Sequence, residues 1–227
     1  MHWFSSDNEQ NWQKNKRENP LVLQHLGWTD QSVIDYTINN EGFRTDNFDE
    51  PRDVLWIGCS STFGVGINES DTFAHRVSKE RGWSYYNLSR PAIGWEFYYR
   101  MLQRFIDRID PKYVFVVDPS TLGRREILCD DGRNVAITKP QPRGTGKMVL
   151  SYEPKELLDS RELDIMRMRS MDAIRWVCRN TKLVFLGDIT NSYQTHSARD
   201  LIHPGVEDNT NMSKVVLDIL SDLMYYK

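Results

Sequence analysis

The 227-residue chain has few cysteines and no excess of basic charge. Its three cysteines, Cys59, Cys129 and Cys178, form an odd and sparse set, which argues against a disulfide scaffold and suits a reducing compartment. The 29 basic residues do not outnumber the 32 acidic ones, and the net charge is −3. This balance argues against non-specific binding of nucleic acid, so we expect no nucleic-acid partner.

Long hydrophobic runs are also absent from the sequence. The longest, such as residues 113–117, fall far short of the roughly 20 residues that cross a bilayer. Residues 1–19 are polar and lack the apolar core of a signal peptide. We therefore expect a soluble, cytoplasmic protein with no membrane partner. The composition gives no indication of oligomeric state.

What the chain does have is enough apolar and aromatic material for one sizeable core. Hydrophobic residues make up 39% of it, including 7 Trp, 10 Tyr and 9 Phe. We expect residues 1–50 to form a polar N-terminal arm packed on the main domain, with a short helix near 30–36. Disorder of residues 1–18 is the alternative. We expect residues 51–227 to form the main domain, with an inserted loop region at about 119–154.

Apolar segments alternate with amphipathic ones along the main domain. Buried strands are predicted at 52–57, 84–88, 113–117 and 182–186. Helices are predicted over 70–81, 96–109, 155–179 and 209–225, and the insert could hold a hairpin of 134–137 with 147–150. This order predicts an α/β fold, a three-layer α/β/α sandwich around a parallel sheet. Ligands bind such sheets at the carboxyl ends of the strands.

The first predicted strand runs directly into Gly58-Cys59-Ser60-Ser61-Thr62-Phe63-Gly64. Small residues at such a junction can expose a nucleophile beside free backbone N–H groups, or bind an anion. No lysine follows a glycine as in a phosphate-binding loop, which disfavours nucleotide hydrolysis. The alternatives are a purely structural turn and, at Cys59, a rival nucleophile, although a small buried side chain is the simpler reading of Cys59.

A second cluster precedes the last predicted helix and reads Asp200-Leu201-Ile202-His203-Pro204. Asp200 and His203 are three residues apart, so the carboxylate can bond the imidazole, fix its tautomer and stabilise its protonated form. An ordinary surface turn is the alternative. His196 could pair with His203 on a metal, but a surface histidine is the simpler interpretation, and we expect neither a metal nor an organic cofactor.

Taken together, the two clusters resemble the SGNH (GDSL-type) hydrolases. The block at 58–64 is similar to the family's Gly-Asp-Ser block, with Cys59 where Asp is usual, and Asp200-x-x-His203-Pro204 is similar to its final block. Asn40-Glu41-Gly42-Phe43-Arg44 is similar to a stretch that leads into the first strand in many members. The resemblance covers residues 39–225, least of all the insert, and implies a flavodoxin-like sheet of the SGNH type.

The resemblance also implies roles for individual residues. Ser60 would be the nucleophile, His203 the general base and Asp200 the residue that orients it. The backbone N–H groups of Ser60 and Gly94 would bind the oxyanion.

The third family block departs from the usual pattern. Its usual Asn is missing near Thr121, so Thr121 or Arg124 would have to replace that donor.

These features predict a serine ester hydrolase that acts through an acyl-serine intermediate. The resemblance suggests a small acyl ester or a carbohydrate O-acyl ester as substrate. The missing Asn and the altered Gly-Cys-Ser block leave open a catalytically weak or inactive binding or assembly module. Acyl transfer to a sugar hydroxyl instead of water also stays open.

Overall fold

The computed structural model describes residues 6–119, 124–128, 134–138, 160–187, 189 and 195–225. Helices α1 (Glu9–Glu18) and α2 (Pro20–His25) lie in the arm. The main elements follow in the order β1 (Val54–Ile57), α3 (Ser60–Phe63), a 3-10 turn (Glu69–Asp71), α4 (Phe73–Glu80), β2 (Tyr85–Asn87), α5 (Trp95–Ile109), β3 (Tyr113–Val117), β4 (Arg124–Leu128), β5 (Asn134–Thr138), α6 (Ser160–Val177), β6 (Lys182–Leu186) and α7 (Val206–Tyr225).

The main sheet has the strand order β2-β1-β3-β6, and all its pairs are parallel. Its central strands are continuous apolar runs because both of their faces are covered. Leu55 pairs with Tyr86 on one side and with Val114 on the other. The four predicted strands are confirmed, with ends that differ from the expected ones by one or two residues at most.

Two buried cores lie on opposite faces of this sheet. Leu55 and Ile57 point into the core that α5 and α6 cover. Val54 and Trp56, the alternate residues of the same strand, point into the core that α4 and α7 cover, where the Trp56 ring stacks on Phe115 at 4.4 Å. The predicted three-layer α/β/α sandwich with a parallel sheet is therefore confirmed. Within the described ranges, no helix is both long and apolar enough to cross a membrane.

The expected helix at 30–36 is wrong, because residues 30–31 form a turn and 32–36 have no regular secondary structure. Its carbonyl groups bond to arginine side chains instead of to a helical ladder. Ser32 accepts from Arg199, and Asp35 accepts from Arg44. The longest described helix of the arm is instead α1, which lies within residues 1–18, where disorder was the alternative. Asn8 caps this helix by accepting from the N–H of Asn11 at 3.0 Å.

Of the predicted hairpin in the insert, only the strand at 134–137 lies among the described residues, as β5. Strand β5 pairs antiparallel with β4, which precedes it, and the register runs from Arg124 opposite Thr138 to Leu128 opposite Asn134. The predicted partner, 147–150, lies outside the described residues. A strand that follows closely in sequence needs only a short connection, and this favours the pairing of β4 with β5.

Candidate active site

The carboxyl end of β1 is the point where the strand order changes direction. From β1 the chain goes to β2 on one side and then returns to β3 on the other. Such switch points leave a crevice at the sheet edge where ligands bind. Ser60, the first residue of α3, lies at this edge two residues after Gly58.

Close packing fixes the turn between β1 and α3. A Cβ added to Gly58 would lie 2.1 Å from Thr62 Oγ1, so only glycine lets α3 fold back so tightly over the end of β1. The helix ends after one turn at Gly64, which has φ +83°, and the Gly64 N–H bonds the carbonyl of Ser60 at 3.0 Å. The position of Ser60 is thus set by the backbone around it.

Two neighbouring side chains reinforce this turn. The Asn87 amide at the end of β2 donates to the carbonyl of Thr62 at 2.9 Å. The buried Arg44 guanidinium donates to the carbonyls of Gly64 at 2.7 Å and Ile67 at 3.0 Å, and it lies 4.5 Å from the Tyr36 ring. Burial lowers the pKa of Arg44. Arg44 is the last residue of the stretch singled out upstream of the first strand, so that stretch has a structural role here.

The Ser60 hydroxyl lies at a partly exposed position, whereas Cys59 is buried. Cys59 Sγ lies 3.8 Å from Ser60 Oγ. The serine is therefore the more accessible of these two neighbouring residues. This arrangement favours Ser60 over Cys59 as a nucleophile.

Asp200 and His203 are in direct contact. His203 Nδ1 lies 2.6 Å from Asp200 Oδ2, and the other carboxylate oxygen accepts the backbone N–H groups of Ile202 and His203, both at 3.1 Å. Leu201 between them has φ +59°, a left-handed conformation that a residue with a branched side chain rarely adopts. The tight turn that this conformation produces brings the carboxylate under the imidazole.

The two members of this pair differ in exposure. The Asp200 side chain is 0% exposed and that of His203 is 17% exposed. Burial by itself would raise the pKa of Asp200, but the hydrogen bond and positive charge of His203, together with the Ser6 hydroxyl, hold it below its usual value. A buried anion thus lies behind an imidazole that still reaches solvent.

The Ser60 turn and the Asp200 turn lie against each other. Arg199 donates its backbone N–H to the carbonyl of Gly66 at 3.1 Å, and a Cβ added to Gly66 would lie 2.8 Å from that of Ala198. Among the residues that the structure describes, however, no hydrogen bond joins Ser60 Oγ to the His203 ring. Catalytic contacts are often long without substrate and tighten in the complex.

The remaining predicted site residues lie at or beyond this edge. Gly94 is buried immediately before α5, and Ala92, two residues earlier, has φ +61°. Thr121 lies outside the described residues. Arg124 begins β4, and its side chain is outside the described part.

His196, the alternative metal ligand, can also be placed. Its Nε2 lies 3.1 Å from a carboxylate oxygen of Glu207. No cluster of three metal-ligating side chains occurs among the residues that the structure describes. At the end of β3, Asp118 pairs with Arg167 at 2.6 Å, and that guanidinium lies 5.6 Å from the ring of the buried Trp95.

Sequence reasoning missed the residues of the arm that touch the Asp200 turn. Ser6 contacts Asp200 and His203, Asp7 pairs with Arg199, and the Trp28 indole donates to the carbonyl of Ser197 at 3.1 Å. These contacts span more than 160 positions of sequence, and no local pattern signals them. The only available hint was the high aromatic content of an otherwise polar arm.

Comparisons with known proteins found no matching family model and no matching curated protein. Solved structures do show similarity. The psychrotrophic esterase EstA from Pseudoalteromonas sp. has 10% identity and a TM-score of 0.41, covering 76% of this chain and 99% of that one.

An acetyl xylan esterase, Est2A, from the rumen bacterium Butyrivibrio proteoclasticus has 14% identity and a TM-score of 0.42, covering 87% and 67%. TesA has 16% identity and a TM-score of 0.39, covering 75% and 98%. Two of these three structures are named as esterases.

Proposed function

We propose that the chain is a serine ester hydrolase with Ser60 as nucleophile, His203 as general base and Asp200 as the residue that orients it. One observation carries the proposal: the fully buried Asp200 carboxylate lies 2.6 Å from Nδ1 of a partly exposed imidazole. A buried carboxylate stabilises an imidazolium and fixes which ring nitrogen carries the proton. The other nitrogen, Nε2, is then left to accept a proton from a nucleophile.

The chemical steps follow from this arrangement. His203 Nε2 takes the proton of Ser60 as Oγ attacks the ester carbonyl carbon. The imidazolium then gives that proton to the departing alcohol, leaving an acyl-Ser60 ester. Water, activated by the same nitrogen, attacks the acyl carbon, releases the acid and restores the Ser60 hydroxyl.

Charge develops on the carbonyl oxygen during both attacks. In our proposal the backbone N–H groups of Ser60 and Gly94 bind this oxyanion, and Thr121 or Arg124 supplies the donor that is usually an Asn. The location of Ser60 at the first residue of α3 supports its role, because N–H groups at the start of a helix have no partner within it. The proposed substrates, small acyl esters and carbohydrate O-acyl esters, follow from the family resemblance.

The test compares Ser60→Ala with Cys59→Ala on p-nitrophenyl acetate. We expect Ser60→Ala to lose roughly 10³-fold or more in kcat/KM, since the nucleophile is removed. Cys59→Ala serves as the matched control because it deletes the neighbouring Sγ and should keep most of the activity. Equal rates for Ser60→Ala and the parent would overturn the mechanism. Loss in Cys59→Ala with full activity in Ser60→Ala would assign the nucleophile to the thiol.

A further inference from the structure

Ser6, on the N-terminal arm, reaches the proposed catalytic pair from the far end of the sequence. Its hydroxyl lies 2.5 Å from Asp200 Oδ2 and 3.4 Å from His203 Nδ1. Because a carboxylate only accepts hydrogen bonds, Ser6 is the donor to Asp200. The oxygen that holds the imidazole is therefore shared between His203 and Ser6.

With Ser6 in place, the Asp200 carboxylate has four donors. Ile202 and His203 give their backbone N–H groups to Oδ1, and the imidazole and the Ser6 hydroxyl bond Oδ2. Three of these donors belong to Asp200's own turn, and Ser6 is the fourth. The side chain is 0% exposed, so a lone pair that lost its donor would have no bulk water to replace it.

The arm holds Ser6 at this place through several contacts with the same turn. Asp7 bonds the guanidinium of Arg199 through both of its oxygens, each at 2.9 Å. The Asn11 amide donates to the carbonyl of Ser6 at 2.8 Å, and the Asn15 amide donates to that of Asp200 at 3.2 Å. Ser6 is thus placed by a network on both sides of it.

We propose that Ser6 is a positioning residue of the active site, which locks the Asp200 carboxylate in the orientation that aligns His203. This inference rests on the proposed function, since it assigns Ser6 a role toward the same pair. Ser6 acts through Asp200 and does not touch the reacting atoms. The proposal makes the N-terminal arm a working part of the catalytic site.

Loss of the Ser6 hydroxyl has an expected effect on pH dependence. With one donor fewer, more of the Asp200 charge acts on the imidazolium. The acid limb, meaning the rise of kcat/KM with pH on the acidic side of the profile, therefore moves to higher pH. Within the part of the chain that the structure describes, the charged or titratable groups of this network are His203 and Arg199 of Asp200's own turn, and Asp7 of the arm with its partner Tyr36. The Gly66 turn meets this segment through its backbone. The substitution leaves all of these groups unchanged.

The experiment measures kcat/KM against pH with p-nitrophenyl acetate for the full-length parent, Ser6→Ala, Ser6→Thr and Ser32→Ala. Ser32 is the matched control, since its hydroxyl bonds Thr29 within the arm. We expect Ser6→Ala to lose about tenfold in kcat/KM and to shift its acid limb upward. Ser6→Thr, which keeps the hydroxyl, should restore the parent's limb. Ser32→Ala should match the parent.

A parent-like rate and pH profile in Ser6→Ala would overturn the inference. So would an equal loss in Ser32→Ala, or a loss in Ser6→Ala with the acid limb unmoved, because either result would mean general loosening of the arm. Thermal unfolding followed by circular dichroism checks that each variant is folded at the assay temperature. Ser60→Ala separates the two proposals: if it is inactive and Ser6→Ala is parent-like, only the role of Ser6 fails.

Discussion

The turn that carries Ser60 and the turn that carries Asp200 and His203 lie side by side, but different contacts hold them. The Ser60 turn is fixed by close packing of its own backbone, from Gly58 against Thr62 to the left-handed Gly64. The Asp200 turn has backbone bonds of its own, such as that from the Ala198 N–H to the His203 carbonyl at 2.8 Å, and the strained Leu201. Polar side chains from the N-terminal arm add further contacts to it.

The two turns thus differ in where they lie relative to the sheet. The proposed nucleophile, Ser60, follows the central strand β1 after a tight turn. The proposed acid–base pair lies on the connection between β6 and α7, where side chains of the arm contact it as well. Substitutions in the two turns should therefore fail in different ways, one through folding of the turn and the other through chemistry in an otherwise intact molecule.

The largest effect is expected from Asp200→Asn, which should leave the shape of the turn nearly unchanged. The amide cannot stabilise an imidazolium, and its NH₂ group would favour the wrong tautomer of His203. We expect kcat to fall roughly 10³–10⁴-fold while the far-ultraviolet circular dichroism spectrum stays the same. Retention of more than about a tenth of the parent's kcat would contradict a catalytic role for this pair.

A smaller effect on rate, accompanied by a loss of stability, is expected from Gly58→Ala. The new methyl group would lie 2.1 Å from Thr62 Oγ1, so α3 must shift. Overpacking of this kind costs about 1–3 kcal/mol in the free energy of unfolding, and the shift moves Ser60. Urea denaturation and the p-nitrophenyl acetate assay measure the two effects.

Gly187→Ala is the matched control for that change. Gly187 also follows a parallel strand, β6, but beyond its chain neighbours no atom of the described residues lies within 4 Å of an added Cβ. We expect its stability and activity to stay close to those of the parent. If Gly58→Ala behaves like Gly187→Ala, steric control of the Ser60 turn is wrong.

Much of the sheet could be predicted because its determinants are local. The strands are short apolar runs, and the amphipathic spacing of α5 signals a helix that covers one face. The segment at 30–36 could not be assigned in the same way. Its carbonyl groups accept hydrogen bonds from two arginines that its own sequence does not indicate. Arg199 is distant in the sequence, and Arg44 belongs to a different motif.

The candidate site likewise contains residues that local sequence predicts and residues that depend on distant contacts. Asp200 and His203 could be paired from their three-residue spacing, and Ser60 could be placed at a strand end from the small residues around it. Ser6 could not be found, because its contact with Asp200 spans 194 positions and nothing in the local sequence marks it. The predicted donors Thr121 and Arg124 stay predictions.

The most direct test of the central claim is covalent labelling of the full-length protein with a fluorophosphonate. A serine activated by His203 attacks the phosphorus and displaces fluoride, leaving a stable adduct. We predict one adduct by intact mass, mapped to Ser60 by peptide sequencing, absent in Ser60→Ala and strongly slowed in Asp200→Asn. An unlabelled parent protein, or a label that persists in Ser60→Ala, would contradict the account.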